Sequence, residues 1–238
     1  MRIPLAVRKV AEPVGGFSEP SKMPWLGWSI PTRYCKTGGK LRREEGTVCS
    51  RCYAHSGNYG WPSVQLALDR RYRIMRRDVV RWGGLMVEAI VARARSYVSP
   101  GGLNPAFRWF DSGDLQSVKM LSVIVDVARA TSDVVFANGR GPVWHWLPTK
   151  ERGIVSKWLR LGGLVPFNLA LRLSAWRIGE SVELLPGVLG SEVWGRVGFA
   201  SGWADGKFGC VASEQNNQCL GCRACWDTSV SVVGYKQH

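Results

Sequence analysis

Apolar side chains recur at three- and four-residue intervals between Trp61 and Tyr97, which predicts a helical region in this part of the chain. A proline in the first turn, as in Trp61-Pro62, is typical of a helix start. We expect Gly83-Gly84 to divide the region into two helices, because glycine weakens a helix interior. Similar spacing predicts two further helices, Leu115–Thr131 and Glu151–Leu161.

Short apolar runs alternate with these helices. The predicted strands are Ala106–Phe110, Val134–Ala137, Val143–Leu147, Asn168–Ser174 and Gly195–Ala200. Strands separated by helices pair in parallel through right-handed crossovers, which gives an α/β sheet or a (β/α) barrel. We predict a full or partial TIM-like (β/α) barrel with loop-rich, cysteine-bearing segments at both ends.

The chain has 238 residues, of which 45% are hydrophobic, and this composition supports a sizeable core. Residues 1–60 are rich in Pro and Gly without a sustained period, so we interpret them as a loop-rich N-terminal arm. Residues 61–205 form the predicted barrel-like core, and residues 206–238 form a cysteine-rich C-terminal segment. We expect the three parts to make one compact domain.

The apolar runs are all shorter than a transmembrane helix, and Met1–Pro13 carries charges where a signal peptide would be apolar. These features predict a cytoplasmic protein without a membrane partner. The formal net charge is +14, and such a field attracts polyanions, with nucleic acid as the natural candidate. Basic composition unrelated to binding is the alternative.

One predicted helical segment concentrates this positive charge. Its arginines are Arg70, Arg71, Arg73, Arg76, Arg77 and Arg81. Arginines in such a run can follow a phosphate backbone, so the segment Arg70–Arg81 is the candidate contact for nucleic acid. A solvated helix face is the alternative interpretation.

Polar and small residues follow several predicted strands, where α/β proteins place their functional groups. They include Asp111, Ser112, Gly113 and Asp114 after the first strand and Lys150 after a later one. We expect the Asp111–Asp114 element to bind a ligand or cofactor, with Asp111 and Lys150 as candidate catalytic residues. Capping of a helix that begins at Leu115 is the alternative role for Asp114.

Aromatic residues raise two further expectations. Trp176 and Trp203 follow later predicted strands, where they can line a pocket. His145 lies between two tryptophans, and we expect it to be packed rather than catalytic.

Seven cysteines fall into two groups, and their spacing predicts metal binding. The N-terminal group is Cys35, Cys49 and Cys52, and the C-terminal group is Cys210, Cys219, Cys222 and Cys225. An odd number of cysteines in a reducing compartment argues against a closed disulfide framework. The C-terminal spacing, C-x8-C-x2-C-x2-C, is typical of a [4Fe-4S] cluster, with zinc as the alternative.

The N-terminal group has the spacing C-x13-C-x2-C. Three thiolates on a four-iron cluster leave one iron open for a ligand, which is a catalytic arrangement. In a second interpretation only Cys49 and Cys52 bind metal and Cys35 is a core thiol. In a third, Cys49 and Cys52 join the C-terminal cysteines in one shared site.

Four stretches carry a resemblance to a known family. They are GTVCSRCYA (residues 46–54), FRWFDSGD (107–114), WLPTKE (146–151) and NQCLGCRACW (217–226). The chain resembles a family of phage proteins typified by a mycobacteriophage gene product, which implies a phage-encoded iron–sulfur protein in the host cell cytoplasm. The CxxCYA element is also similar to the cluster loop of radical SAM enzymes, which implies S-adenosylmethionine (SAM) as a cofactor. Those enzymes normally use C-x3-C-x2-C, whereas this chain has the longer first spacing.

These observations lead to three competing functions. The first is a radical SAM-like enzyme with Asp111 and Lys150 near its substrate. The second is a nucleic-acid-binding protein stabilised by an iron–sulfur cluster or zinc. The third is a redox-regulatory protein in which the cluster is the sensor. The sequence leaves open whether the protein is an enzyme and whether it self-associates.

Overall fold

The computed structural model describes residues 9–195 and 199–237. Its α-helices are α1 (Thr37–Leu41), α2 (Pro62–Arg77), α3 (Val79–Ala94), α4 (Val118–Ala130) and α5 (Arg152–Arg160). Its first five strands are β1 (Gly27–Trp28), β2 (Ala106–Trp109), β3 (Val134–Phe136), β4 (Gly139–Gly141) and β5 (Trp144–Thr149). The later strands are β6 (Leu169–Ser174), β7 (Leu189–Trp194), β8 (Gly202–Ala204), β9 (Lys207–Gly209) and β10 (Val232–Lys236).

Eight strands form one sheet in the order β1-β2-β5-β6-β7-β10-β9-β8. All neighbouring strands in it are parallel except β8 and β9, which form an antiparallel pair. The predicted α/β class is therefore confirmed. The closed barrel is wrong, because β1 and β8 are the open edges of the sheet in the part of the chain that the structure describes.

Two predicted strands differ from the structure. The predicted strand Val134–Ala137 corresponds to β3, which pairs with β4 in a separate hairpin because the intervening turn folds the chain straight back. In the predicted strand Gly195–Ala200, residues 196–198 lie outside the described residues and the others are not in a strand. The strand in this region is β7, which ends at Trp194.

The predicted helix break at Gly83-Gly84 is also wrong. The helical region is instead interrupted at Asp78, whose backbone is extended. The Asp78 carboxylate caps α3 by accepting hydrogen bonds from the N–H groups of Val80 and Arg81. Gly83 instead lies buried within α3. A Cβ atom on Gly83 would lie 2.3 Å from Val123 Cγ1, so the glycine permits the close packing of α3 against α4.

Alternate side chains of the sheet pack against the helices. Phe107, Trp109 and Leu147 belong to this main core, together with Trp28 from the edge strand. Trp82 of α3 lies against Trp28, with a distance of 4.8 Å between ring centroids. The tryptophans therefore join the edge strand, the sheet and the helix layer into one apolar core.

The opposite face of the sheet is covered by the C-terminal cysteine segment. Cys225 and Trp226 are buried against Ala106 and Trp146 in a second, smaller core. Arg172 of β6 is fully buried beneath them. Its guanidinium donates to the carbonyls of Ala224, Cys225, Asp227 and Val230 at 2.8–3.0 Å. A buried charge is tolerated when its donors are all used, so Arg172 fixes this segment to the sheet.

No helix within the described residues combines the length and the apolar character that crossing a membrane requires.

Candidate functional site

The three N-terminal cysteines line one cavity of about 710 Å³. They lie on the connection that follows β1, at the end of the sheet where parallel strands present their carboxyl termini. This is the usual position of a ligand site in an α/β sheet. Cys35 lies beside Cys49 and Cys52 despite the long spacing, so the structure brings together all three of the predicted N-terminal ligands.

Glycine and a tight turn create the space around these thiols. A Cβ atom on Gly38 would lie 3.3 Å from Cys49 Sγ and 3.9 Å from Cys35 Sγ. The Cys52 N–H group donates to the Cys49 carbonyl at 3.2 Å and closes the turn between them. The cavity is therefore a cradle that a side chain at position 38 would partly fill.

The electrostatics of the cavity oppose the thiolate form in the protein alone. Burial raises the pKa of Cys35, and the negative charges of Asp114, Cys52 and Cys49 add to the effect. Burial also raises the pKa of Cys49, while the positive charge of Lys150 opposes this shift. Several buried thiolates together therefore require a positive centre among them.

Glu151 supports the cavity from behind and was not among the predicted site residues. Its buried carboxylate accepts hydrogen bonds from the Thr37 backbone N–H group at 2.8 Å and the Thr37 hydroxyl at 2.9 Å. These bonds hold Thr37, the first residue of α1, two residues after Cys35. In the sequence Glu151 is an ordinary helix-start residue, and only its position beside the Thr149-Lys150 strand end hinted at this role.

The Asp111–Asp114 element braces the site rather than lining the cavity. The buried Asp114 carboxylate accepts from the Thr149 hydroxyl at 2.6 Å and the Lys150 N–H group at 2.9 Å, which ties the ends of β2 and β5 together. Burial raises the pKa of Asp114 to about 6, against the opposing effect of these hydrogen bonds. Helix capping by Asp114 is wrong, because α4 begins at Val118 and is capped by Ser117.

The other members of the element contact the chain that follows β1. The Ser112 hydroxyl donates to the Ile30 carbonyl at 2.9 Å. Gly113 has a φ of +80°, and a Cβ atom there would lie 2.6 Å from the Ile30 carbonyl oxygen, so this position requires glycine. The element thus fixes the start of the cysteine-bearing connection.

Asp111 connects the cavity to the opposite face of the sheet. Its carboxylate accepts from the hydroxyl of Tyr59, a cavity-lining residue, at 2.8 Å, while Oδ1 is buried without a partner in the described chain. The Asp111 carbonyl accepts from the Tyr53 hydroxyl. Arg108 donates to the same hydroxyl at 3.1 Å, with its guanidinium 4.4 Å from the Trp146 ring centroid. Asp111 therefore does not line the cavity but contacts a residue, Tyr59, that does.

The four C-terminal cysteines form a second group on the sheet face opposite the helices. Cys210 follows β9, and its N–H group donates to the Gly234 carbonyl at 2.8 Å. The Cys222 N–H group donates to the Cys219 carbonyl at 2.8 Å. Cys52 and Cys49 make a turn with the same hydrogen-bonding pattern. Burial raises the pKa of Cys225 to about 12, against the hydrogen bond between its sulfur and the Tyr235 hydroxyl.

The two cysteine groups occupy different places. The cavity is lined by the three N-terminal cysteines and by none of the C-terminal four. The seven cysteines are free thiols. No group of three or more His, Cys, Asp or Glu side chains in the described ranges is arranged to hold a metal ion.

Other predicted residues lie away from the thiols. His145 is fully buried, accepts from the Trp109 indole N–H group at 3.2 Å and lies 2.8 Å from the Thr131 hydroxyl, so it is packed as expected. The Trp176 carbonyl accepts from the Val48 N–H group, which places this tryptophan beside the Cys49 turn. Trp203 lies on the β8–β9 hairpin and is exposed.

The arginines of the Arg70–Arg81 segment divide into two sets. Arg70 and Arg71 donate to the carbonyls of Gly15 and Gly16 and hold the N-terminal segment against α2. The remaining four, Arg73, Arg76, Arg77 and Arg81, are exposed.

A family model described as Gene product 88 matches residues 8–185. The matched region contains Cys35, Cys49, Cys52 and the Asp111–Asp114 element, and it ends before the C-terminal cysteines. No curated protein matches the chain, and no solved structure does.

Proposed function

The chain belongs to the gene product 88 family, a phage-type family named for a gene rather than a reaction, and we propose that it is an iron–sulfur enzyme similar to radical SAM proteins. Cys35, Cys49 and Cys52 are the proposed cluster ligands. One observation carries the proposal. Three thiols that are distant in sequence line a single cavity at the carboxyl end of a parallel sheet, and no fourth cysteine is among its lining residues.

The donor set favours a cluster over zinc. A tetrahedral zinc ion holds its thiolates about 3.8 Å apart, since each Zn–S bond is about 2.3 Å. In a cubane cluster each thiolate binds a different iron, so the sulfurs lie farther apart around a larger body. A cavity of about 710 Å³ has room for the larger body.

A cluster held by Cys35, Cys49 and Cys52 would supply the one-electron chemistry for reductive cleavage of SAM, with an external reductant as the source of the electron. The chain's own residues prepare the site. Lys150 supplies positive charge near Cys49 and favours its thiolate. Glu151 and Asp114 fix the backbone on either side of the site. Tyr59, in the cavity wall, is held in place by the hydrogen bond that its hydroxyl donates to the Asp111 carboxylate.

We assign the C-terminal cysteines to a second [4Fe-4S] cluster with four protein ligands and no open iron. Cys210, Cys219, Cys222 and Cys225 supply these ligands, and zinc in their place is the alternative that metal analysis decides. Such a centre would stabilise the segment that covers the sheet. The host cytoplasm suits both clusters, because its reducing conditions keep the seven cysteines free.

The test is reductive SAM cleavage by protein purified and reconstituted without oxygen. With dithionite and SAM, the wild-type protein is expected to form 5′-deoxyadenosine. The Cys35→Ser and Cys52→Ser variants are expected to lose this product almost completely, because each removes a proposed ligand of the open cluster.

The Cys219→Ser variant is the matched control, since it removes a thiol of the other group. It is expected to retain SAM cleavage wherever the protein remains folded. Equal product formation by the wild-type protein and the Cys35→Ser variant would show that the cavity is not a SAM-cleaving site.

A further inference from the structure

Positive charge without an ion-pair partner surrounds the mouth of the cysteine cavity. Arg42 and Arg43 line it, are exposed, and make no ion pair within the described chain. Arg33 also lines the cavity, but Asp69 balances its charge. The acidic groups near the thiols, Asp114 and Glu151, are buried and hydrogen-bonded to the chain. The lining residues of the cavity therefore carry a net positive charge, while Glu44, which pairs with Arg177, and Glu45 follow Arg43 on the chain.

A second basic cleft of about 550 Å³ is lined by Lys36, the residue after the cavity-lining Cys35. It is lined by four cationic side chains, Lys36, Arg76, Arg77 and Lys119. Lys36 directly follows Cys35 in the chain, and its ammonium group donates to the Gln116 carbonyl at 2.6 Å, which holds it in the cleft. The acidic residue of the cleft, Asp78, is used in capping α3. We call the lining of these two depressions, which meet along the chain at Cys35 and Lys36, the basic surface.

Exposed aromatic rings accompany this charge. Trp61 is 58% exposed and directly follows Gly60, which lines the cavity. Trp176 is 47% exposed beside the Cys49 turn. Exposed rings beside a basic groove are the elements that bind single-stranded nucleic acid, because the bases stack on the rings while the cations follow the phosphates.

We infer that the substrate of this site is a single-stranded region of a nucleic acid, with its backbone along the basic surface and one nucleotide in the cavity. The cavity volume lies in the range of small-ligand pockets, so it can admit a nucleotide. An acidic protein would use the charges but would leave the exposed tryptophans unexplained. The inference rests on the proposed function, since it names the substrate class of the same site.

The test measures binding without turnover, by fluorescence anisotropy of labelled single-stranded and duplex DNA and RNA across a salt series. Two double variants remove charge from the surface: Arg42→Ala/Arg43→Ala and Arg76→Ala/Arg77→Ala. Each is expected to weaken binding of a single strand about tenfold at low salt and to reduce the salt slope by roughly one to two, as expected for two lost phosphate contacts.

The control is Arg95→Ala/Arg160→Ala, which removes the same charge from exposed positions near the ends of α3 and α5. It is expected to bind nearly as the wild-type protein does. A Trp61→Ala variant is expected to lose affinity for single strands with an unchanged salt slope.

Two results would overturn the inference. One is equal weakening by all three double variants, which would reduce the effect to general basicity. The other is equally effective competition by polyglutamate, which would indicate an acidic protein partner. Binding is read separately from SAM cleavage, so failure of the substrate assignment and failure of the proposed chemistry are distinguishable.

Discussion

Gly38 occupies a position where a side chain would partly fill the cysteine cavity. It precedes Gly39 in the same short helix, α1, but the two positions face different surroundings. A Cβ atom at position 38 would lie 3.3 Å from Cys49 Sγ, whereas one at position 39 would meet nothing within 4 Å. The pair separates the effect of helix propensity from the effect on the cavity.

We predict that Gly38→Ala lowers the iron content of the reconstituted protein and that Gly39→Ala does not. Both substitutions change helix propensity and chain entropy equally, each by about 0.5–1 kcal/mol in favour of alanine. Iron analysis and thermal unfolding of the two variants provide the measurement. Equal iron contents in the two variants would contradict the claim that the iron site needs the space at position 38.

His145 makes a pH-dependent contribution to stability at the same scale. Burial lowers its pKa from 6.5 to about 3. The unfolded chain therefore binds a proton between these values while the folded protein does not, so the free energy of unfolding falls as the pH decreases from about 6.5 towards 3. Above about pH 6.5 the full contribution is present.

We predict that His145→Gln reduces this dependence. Urea unfolding at pH 5 and pH 7.5 is compared for the two proteins, and each pH unit inside the window is worth up to about 1.4 kcal/mol. The difference between the two pH values should be larger for the wild-type protein. An identical difference would mean that His145 binds a proton in the folded protein as readily as in the unfolded chain.

At the scale of elements, α1 and the loop around it are held from another part of the sheet. Glu151, at the start of α5, accepts hydrogen bonds from the N–H group and the hydroxyl of Thr37. These bonds tie the loop that follows β1 to the end of β5. The cysteines' arrangement therefore depends on a contact between segments 114 residues apart.

We predict that Glu151→Gln loosens this connection, because the side-chain amide nitrogen would oppose one of the two Thr37 donors. Faster loss of iron to a chelator is expected, with little change in the circular dichroism of the sheet. Glu45→Gln, at an exposed position, is the control. Iron loss at the same rate in both variants would show that Glu151 does not position the thiols.

The sequence predicted the elements with strong periodicity and missed those defined by pairing. The helix around Leu121 and the strand around Leu171 are correct because each buries a regular apolar face. Strand β1 has two residues and β9 contains glycine, so neither carries a local signal. In the same way, spacing indicated that the cysteines form two groups, but it could not indicate that Glu151 supports them.

At the scale of the molecule, the two cysteine groups lie at different places on one sheet. The N-terminal group opens to a cavity beyond the strand ends, and the C-terminal group is packed over the face opposite the helices. Arg108 lies between them and is hydrogen-bonded to Tyr53. Burial raises the pKa of Cys219, and the positive charge of Arg108 opposes this rise. Under the proposed function, the reactive cluster would lie at the cavity and the structural cluster over the sheet face.

The most direct test counts iron and acid-labile sulfide per chain in protein purified and reconstituted without oxygen. The wild-type protein is compared with the triple variant Cys35→Ser/Cys49→Ser/Cys52→Ser. We predict about eight iron and eight sulfide in the wild-type protein and about four of each in the triple variant, with one cubane cluster lost. The same content in both proteins, or zinc without sulfide, would contradict an iron–sulfur cluster in the N-terminal cavity.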